Sequence, residues 1–180
     1  RSSSSAASDV YKRQQLYNHI KTSQIDELMC ETSASLGTTD YDYYNLASTL
    51  CISNHQKEVS TDFVRNYETI YNDNEGYLST SFMDLIHTHA DFFKTILNYD
   101  RDYDIDFFGF KTLERAYLMK HNGVIYERIQ HLWLRVAIQI HGENLEKVAE
   151  TYDALSRKYF IHATPCLLYT SPSPRDSALS

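Results

Sequence analysis

The sequence predicts a mainly α-helical fold carrying one short β-hairpin. Three observations lead there. Apolar residues recur at three- and four-residue spacing in successive segments, as one face of a helix requires. All three prolines stand at or after position 165, so nothing between Gln15 and Thr164 interrupts long helices by removing a backbone donor. A single Asn122-Gly123 pair, flanked by short β-prone runs, supplies the one hairpin signal.

The elements follow in order. Ser23 and Asp26 resemble a capping box ahead of Ile25, Leu28, Met29, Thr32 and Leu36, and Gly37 is the expected stop. Asp40 can cap a second helix with Tyr43, Leu46, Ala47 and Leu50 on one face. A third pattern runs Phe63, Tyr67, Ile70 and ends in the loop Asn72 to Gly76, the expected internal hinge. Ser81 and Asp84 open a fourth, which continues through Phe82, Leu85, Ile86, His89, Phe93, Ile96 and Leu97. A short helix is expected over Phe107 to Tyr117. The hairpin pairs Tyr117 to Lys120 with Val124 to Glu127 across His121-Asn122-Gly123. Ile129, Leu132, Trp133, Val136, Ala137 and Ile140 form the cleanest stripe, punctuated by Gly142. Leu145, Val148, Ala149, Tyr152, Leu155 and Tyr159 mark a last helix.

Composition narrows the function classes. The 180 residues carry 24 acidic and 17 basic side chains, a net charge of −7, which argues against binding nucleic acid through phosphate neutralisation. No apolar run approaches the roughly 20 residues of a membrane-spanning helix. Three cysteines without pair spacing argue against a disulfide scaffold or a CxxC zinc site. They fit a reducing, cytoplasmic setting.

The two ends are expected to stand outside the fold. Residues 4–14, SSAASDVYKRQ, resemble an in-frame translation of one half of a transposon-type sequencing adapter. Residues 166–176, CLLYTSPSPRD, match a translation of the opposite half. We therefore expect adapter-like disordered tails at 1–14 and 166–180, excluded from fold reasoning. These tails hold Arg1, Lys12, Arg13 and Arg175 against only Asp9 and Asp176, so the remainder is more acidic than the whole.

Residue chemistry alone offers little catalysis. Asp100, Asp102, Asp104 and Asp106 alternate like a calcium loop, yet that loop needs glycine at its sixth position and glutamate at its twelfth. Counting from Asp100 gives Ile105 and Lys111, and from Asp102 gives Phe107 and Leu113. A solvated turn capping the Phe107 helix is the expectation instead. His87 and His89 are two apart, on different helix faces, and neither they nor His131 and His141 find a third ligand nearby. Cys30 and Cys51 are expected to pack as small apolar groups. Arg101, Lys111, Arg115 and Arg135 read as structural ion-pair or surface residues. No GxxxxGK[ST], GxGxxG or GxSxG is present.

A long motif adds what the chemistry lacks. The segment YDRDYDIDFFGFKTLERAYLMK at 99–120 resembles the large subunit of class I ribonucleoside-diphosphate reductase. The likeness continues through Glu127-Arg128, His131, Arg135-Val136, Ile140-His141, Glu150-Thr151-Tyr152 and His162-Ala163-Thr164-Pro165. Upstream, Glu31-Thr32 and Ile52 to Glu58 resemble the end of that family's ATP-cone. Beyond Pro165 the likeness stops.

The resemblance implies a truncated ATP-cone region at 15–59 and the helical domain at 60–165 that precedes a ten-stranded α/β barrel, itself absent. It implies an enzyme that reduces ribonucleoside diphosphates to deoxyribonucleotides by thiyl-radical chemistry. A separate small subunit carries the radical cofactor with its metal, and no metal is expected in this subunit. The intact parent is expected as a homodimer. The catalytic cysteines of the family pattern lie beyond Pro165, and Cys30 and Cys51 match none of them, so the chain itself is expected to be inactive. Thr22, Asp26 and Lys57 align with the allosteric ATP/dATP site: a lysine can meet phosphate charge, and a hydroxyl and a carboxylate near a helix start can hydrogen-bond a nucleotide. Thr164 aligns with a hydroxyl residue beside the substrate diphosphate.

Two other readings stay open at this level. The chain can be a free-standing helical interaction module without catalytic activity, its amphipathic faces serving as partner grooves. It can also be a nucleotide-sensing cone joined to something else. The reading frame beyond Pro165 in the source transcript separates them.

Overall fold

A computed structural model describes residues 21–73, 78–161 and 167. The described residues are mainly helical, with a two-stranded hairpin and no closed barrel among them. None of the described helices is long and apolar enough to cross a membrane. The chain divides into two compact units, residues 1–54 and 55–180.

In the first unit, α1 (Thr22–Leu36) begins slightly before the expected cap. The Lys21 amide, rather than Ser23, is the capped position, donating to Gln24 Oε1 at 3.1 Å. The chain turns at Gly37, whose φ of −59° is ordinary. Glycine is needed there for closeness: an added Cβ would stand 3.0 Å from the Tyr44 Cβ and 3.1 Å from the Ala34 oxygen. Asp40 caps α2 (Tyr41–Glu58) as expected, accepting from the Asp42 amide at 3.0 Å.

Two expectations for this unit are corrected. The buried line of α2 is Ala47, Cys51 and Ile52, whereas Tyr43 and Leu46 are 43% and 46% exposed. Cys30 and Cys51 are buried, but as a disulfide joining α1 to α2, with Cα atoms 5.9 Å apart. Each cysteine stands on the inward side of its own helix. That the two sides meet is a tertiary fact with no spacing signal.

The second unit holds the remaining elements. In α3 (Phe63–Asp73) the expected stripe of Phe63, Tyr67 and Ile70 is buried, and Asp62 accepts from the Arg65 amide at 3.1 Å. The expected hinge falls largely outside the described residues. The fourth helix proves to be two, α4 (Thr80–Thr88) and α5 (Ala90–Ile96), separated by His89 at φ −116° and ψ 24°. No proline or glycine marks that break. Its cap is Ser79, not Ser81, with the hydroxyl accepting from Phe82 N at 3.2 Å.

Tyr99–Asp104 forms a 3-10 helix, and Asp106 then caps α6 (Phe107–Ala116) by accepting from Gly109 N at 2.8 Å. The hairpin is shorter than expected: β1 (Lys120–His121) pairs antiparallel with β2 (Val124–Ile125), Lys120 opposite Ile125. Asn122 and Gly123 both adopt positive φ, 50° and 78°, as the two-residue turn demands.

The stripe on α7 (Ile129–His141) understated its burial. Every residue from Ile129 to Ile138 is buried, so this is the central helix of the unit, while Ile140 is exposed. It packs along α8 (Leu145–Ser156), capped by Asn144, whose Val148, Tyr152 and Leu155 face inward. Tyr159 lies past the helix end and is exposed. Edge-to-face aromatic contacts tie the layers: Phe63 meets Tyr67, Phe93 and the His131 ring with centroids 4.9, 6.0 and 5.2 Å apart.

Candidate functional site

The residues expected at an effector site stand in the first turns of α1 and the last turn of α2. Thr22 is exposed at the first position of α1, and Asp26 stands half-buried one turn later on the same face. Lys57 is exposed in the last turn of α2. Thr22 and Asp26 belong to the first unit and Lys57 to the second. Thr164 lies outside the described residues. No group of three or more metal-ligating side chains occurs among the described residues.

The polar chemistry of the second unit is concentrated in its interior, around α7. Glu127, in the segment entering that helix, and Arg135, two turns into it, are both almost fully buried. Arg135 Nε donates to Glu127 Oε1 at 2.7 Å and Nη2 to Oε2 at 3.1 Å, a two-point pairing of a planar cation with a carboxylate. The Tyr67 hydroxyl of α3 donates to Oε1, and the Met119 amide donates to Oε2 at 2.9 Å. Burial opposes the Arg135 charge, but Glu127 and Tyr67 more than offset it and hold its pKa above the usual value. Burial next to Glu127 raises the Tyr67 phenol, which keeps its proton to donate.

A second network holds the 3-10 helix. Asp102, expected as part of a solvated turn, is fully buried, and this corrects that expectation. Its Oδ1 accepts from Gln130 Nε2 at 2.8 Å and its Oδ2 from Gln56 Nε2 at 2.7 Å. Tyr152 donates to Gln130 Oε1 at 2.9 Å and accepts from Asn98 N at 2.9 Å. Burial raises the Asp102 pKa, partly countered by the two amide donors.

His131 is the structural histidine of this core. The Tyr99 hydroxyl donates to Thr61 O at 2.9 Å, so His131 Nε2, 2.9 Å from that hydroxyl, carries the proton and donates to it. Nδ1 then stays unprotonated and has no hydrogen-bond partner among the described residues. Burial, with Arg128 and His55 nearby, lowers the His131 pKa to about 3, and burial plus Arg128 lowers His55 to about 4. Arg128 Nε donates to Val59 O at 2.8 Å and Nη2 to Gln56 O, meeting carbonyls that the end of α2 leaves open, and its guanidinium stacks 5.0 Å from the Tyr99 ring. Desolvation lowers its pKa.

The other cations behave as expected. Arg101 pairs with Asp153 at 2.7 Å, Lys111 with Glu114 at 2.8 Å, and Arg115 is exposed. His87 pairs with Glu68 on the surface. Sequence reasoning missed Asp102, Gln56, Gln130 and Tyr152 as one connected network, and Tyr67 as a partner of Glu127. The only signal was their presence as polar residues at inward helical positions. A groove of about 950 Å³ opens beside this core, lined by Phe108, Thr112, Trp133, Leu155, Ile161 and Leu167 among others. Phe108 and Ile161 are 68% and 67% exposed at its rim.

This helical unit, with its buried charge networks and its hairpin, is of a known class: residues 103–171 match the family described as ribonucleotide reductase, all-alpha domain. The chain is 43% identical over 168 residues to the ribonucleoside-diphosphate reductase large subunit of Dictyostelium discoideum, covering 88% of this chain and 19% of that protein. It is 40% identical to that of Plasmodium falciparum (isolate Dd2), covering 89% and 20%, and 37% identical to that of Arabidopsis thaliana, covering 89% and 20%. Over most of its length the chain is homologous to ribonucleoside-diphosphate reductase large subunits, consistent with class I. It spans about a fifth of the length of the curated relatives it matches.

Proposed function

We propose that this chain is part of an enzyme that reduces ribonucleoside diphosphates to deoxyribonucleoside diphosphates. The observation that carries this is the 43% identity extending over 88% of the chain, through both the helical core and the segment upstream of it. In this reading the first unit is the C-terminal part of an ATP-cone, and the second is the helical lead-in to a ten-stranded barrel. A small subunit supplies the radical that a cysteine thiol carries to the substrate, and two large subunits pair. The assembly works in the cytoplasm.

Within the chain, Thr22 and Asp26 offer a hydroxyl and a carboxylate on one face of α1 to an ATP or dATP effector, and Lys57 offers positive charge to its phosphates. Thr164 would meet the substrate diphosphate. The buried networks around α7 serve as framework. Cys30 and Cys51 are engaged with each other, which fits the reading that the redox cysteines are elsewhere.

The test is an assay of the 180-residue chain with a competent small subunit and a ribonucleoside diphosphate. No turnover is expected, and measurable reduction would refute the placement of the catalytic cysteines outside it. A parallel titration with ATP and dATP addresses the effector residues: weak or absent binding is expected, whereas tight binding abolished by Lys57→Ala would show that the two described helices suffice.

A further inference from the structure

The first unit has a small core with a disulfide at its centre. Among its described residues the buried apolar side chains are Cys30, Ala47, Cys51 and Ile52, while Met29, Tyr41, Tyr43 and Leu46 are exposed. So little apolar burial leaves a helix pair marginal unless it is cross-linked. The Cys30–Cys51 bond supplies that link between α1 and α2, with Cα atoms 5.9 Å apart. It also lies beside the proposed effector face. Thr22, Asp26 and Cys30 follow one another at four-residue spacing along one side of α1.

The same packing accommodates the reduced pair. Ala47 O stands 3.2 Å from Cys30 Sγ, so a thiol formed there meets an acceptor. Both cysteines are buried, and exchange therefore proceeds through local opening of the two helices, which a small core keeps within reach. In a reducing compartment, such as the one proposed above, disulfides are characteristically transient and redox-sensing rather than permanent staples.

We propose that Cys30 and Cys51 form a thiol–disulfide switch that regulates nucleotide binding on α1. The oxidised pair holds Thr22 and Asp26 in place for ATP or dATP, and the reduced pair releases them. The proposal rests on the reading of Thr22 and Asp26 given above. The exchanging couple is a small thiol and its disulfide, of the glutathione class. One cysteine thiolate attacks the external disulfide, forming a mixed disulfide and releasing one small thiol. The other cysteine thiolate then attacks the mixed disulfide, closing the Cys30–Cys51 bond and releasing the second small thiol. Two electrons and two protons thus pass from the cysteine pair to the external disulfide, and the reverse sequence reduces the pair. A cross-linked α1 binds tighter because the nucleotide no longer bears the cost of ordering it.

The experiment has two arms. In the 180-residue chain, equilibrated with reduced and oxidised glutathione in varied ratio, alkylation and peptide mapping follow Cys30 and Cys51 apart from Cys166. The two should pass from free to mutually bonded together as the ratio shifts. A pair that stays bonded in excess reduced glutathione, or stays free in excess oxidised glutathione, overturns the switch. The second arm titrates the intact large subunit with dATP in both redox states. The reduced form should bind about tenfold more weakly. In Cys51→Ala the affinity should stay at the reduced value at every ratio; should that variant fail to fold, Cys30→Ala is read the same way. A redox effect that survives the cysteine substitution comes from another cysteine and overturns the switch. Thr22→Ala and Asp26→Ala are measured beside these. Equal native affinity in both states, with weaker binding in Asp26→Ala, overturns the switch alone. Binding unchanged in both Thr22→Ala and Asp26→Ala overturns the effector reading and the switch with it.

Discussion

Gln130 donates from Nε2 to Oδ1 of the fully buried Asp102 at 2.8 Å, so the central helix α7 grips the 3-10 helix through a single amide. Gln56 grips the other carboxylate oxygen at 2.7 Å. Asp102→Ala would strand both amide donors in the interior, at a cost of about 2–4 kcal/mol of unfolding free energy. Asp102→Asn should cost less, since its amide oxygen still accepts from one glutamine, although turning the other over would forfeit its bond with Tyr99 O or Tyr152. Urea unfolding of the three proteins checks the order.

Stability should fall with acid because of two histidines. His131 and His55 have folded pKa values lowered to about 3 and about 4, below the ordinary 6.5. The unfolded chain therefore binds more protons between those values. Their stabilising contribution is complete above about pH 6.5 and is lost as pH falls toward the folded values. Each accounts for about 2 kcal/mol between pH 7 and pH 5. Asp102, with a raised pKa, acts in the opposite direction and blunts the slope. Urea midpoints across this range should decline in the native chain and about half as steeply in His131→Gln, where His55 remains.

Reduction of the Cys30–Cys51 bond should loosen the first unit selectively. The bond closes a loop between residues 21 apart, worth about 3 kcal/mol by restricting the unfolded chain. A dithiol should lower the stability of α1 and α2, with little effect on the hydrogen exchange of α7. Iodoacetamide should label Cys30 and Cys51, read by peptide mapping apart from Cys166, only after reduction; labelling of either without it would refute the pairing.

The turn of the hairpin should tolerate change unequally. Gly123 has φ of 78° and nothing within 4 Å of an added Cβ, so Gly123→Ala meets backbone strain alone. A loss of about 1 kcal/mol is expected. Asn122→Gly, at φ 50°, should be neutral within a few tenths of a kcal/mol in thermal unfolding.

Much of the fold was legible because helix signals are local. The caps at Asp40 and Asp106 concern residues two or three apart, as does the Asn122-Gly123 turn. Some local features were still misplaced, the caps at Lys21 and Ser79 and the break at His89, and the others that were misjudged depend on neighbours far along the chain. Leu46 is as apolar as any core residue, yet it is exposed while Ala47 is buried. Ile140 continues the α7 stripe but passes beyond the packed layer.

The sequence by itself determined where helices run, where the hairpin turns and which family the long 99–120 motif resembles. Only tertiary structure decided that Cys30 would bond Cys51, that an aspartate from an apparently solvated run would enter the core, and that Arg135 would span Glu127 and the carbonyl of Leu167. Periodicity specifies which residues share a face of one element, three or four positions apart. Which faces then meet is set by packing across tens of residues, and a buried polar side chain acquires its partner only when that packing has brought one within reach.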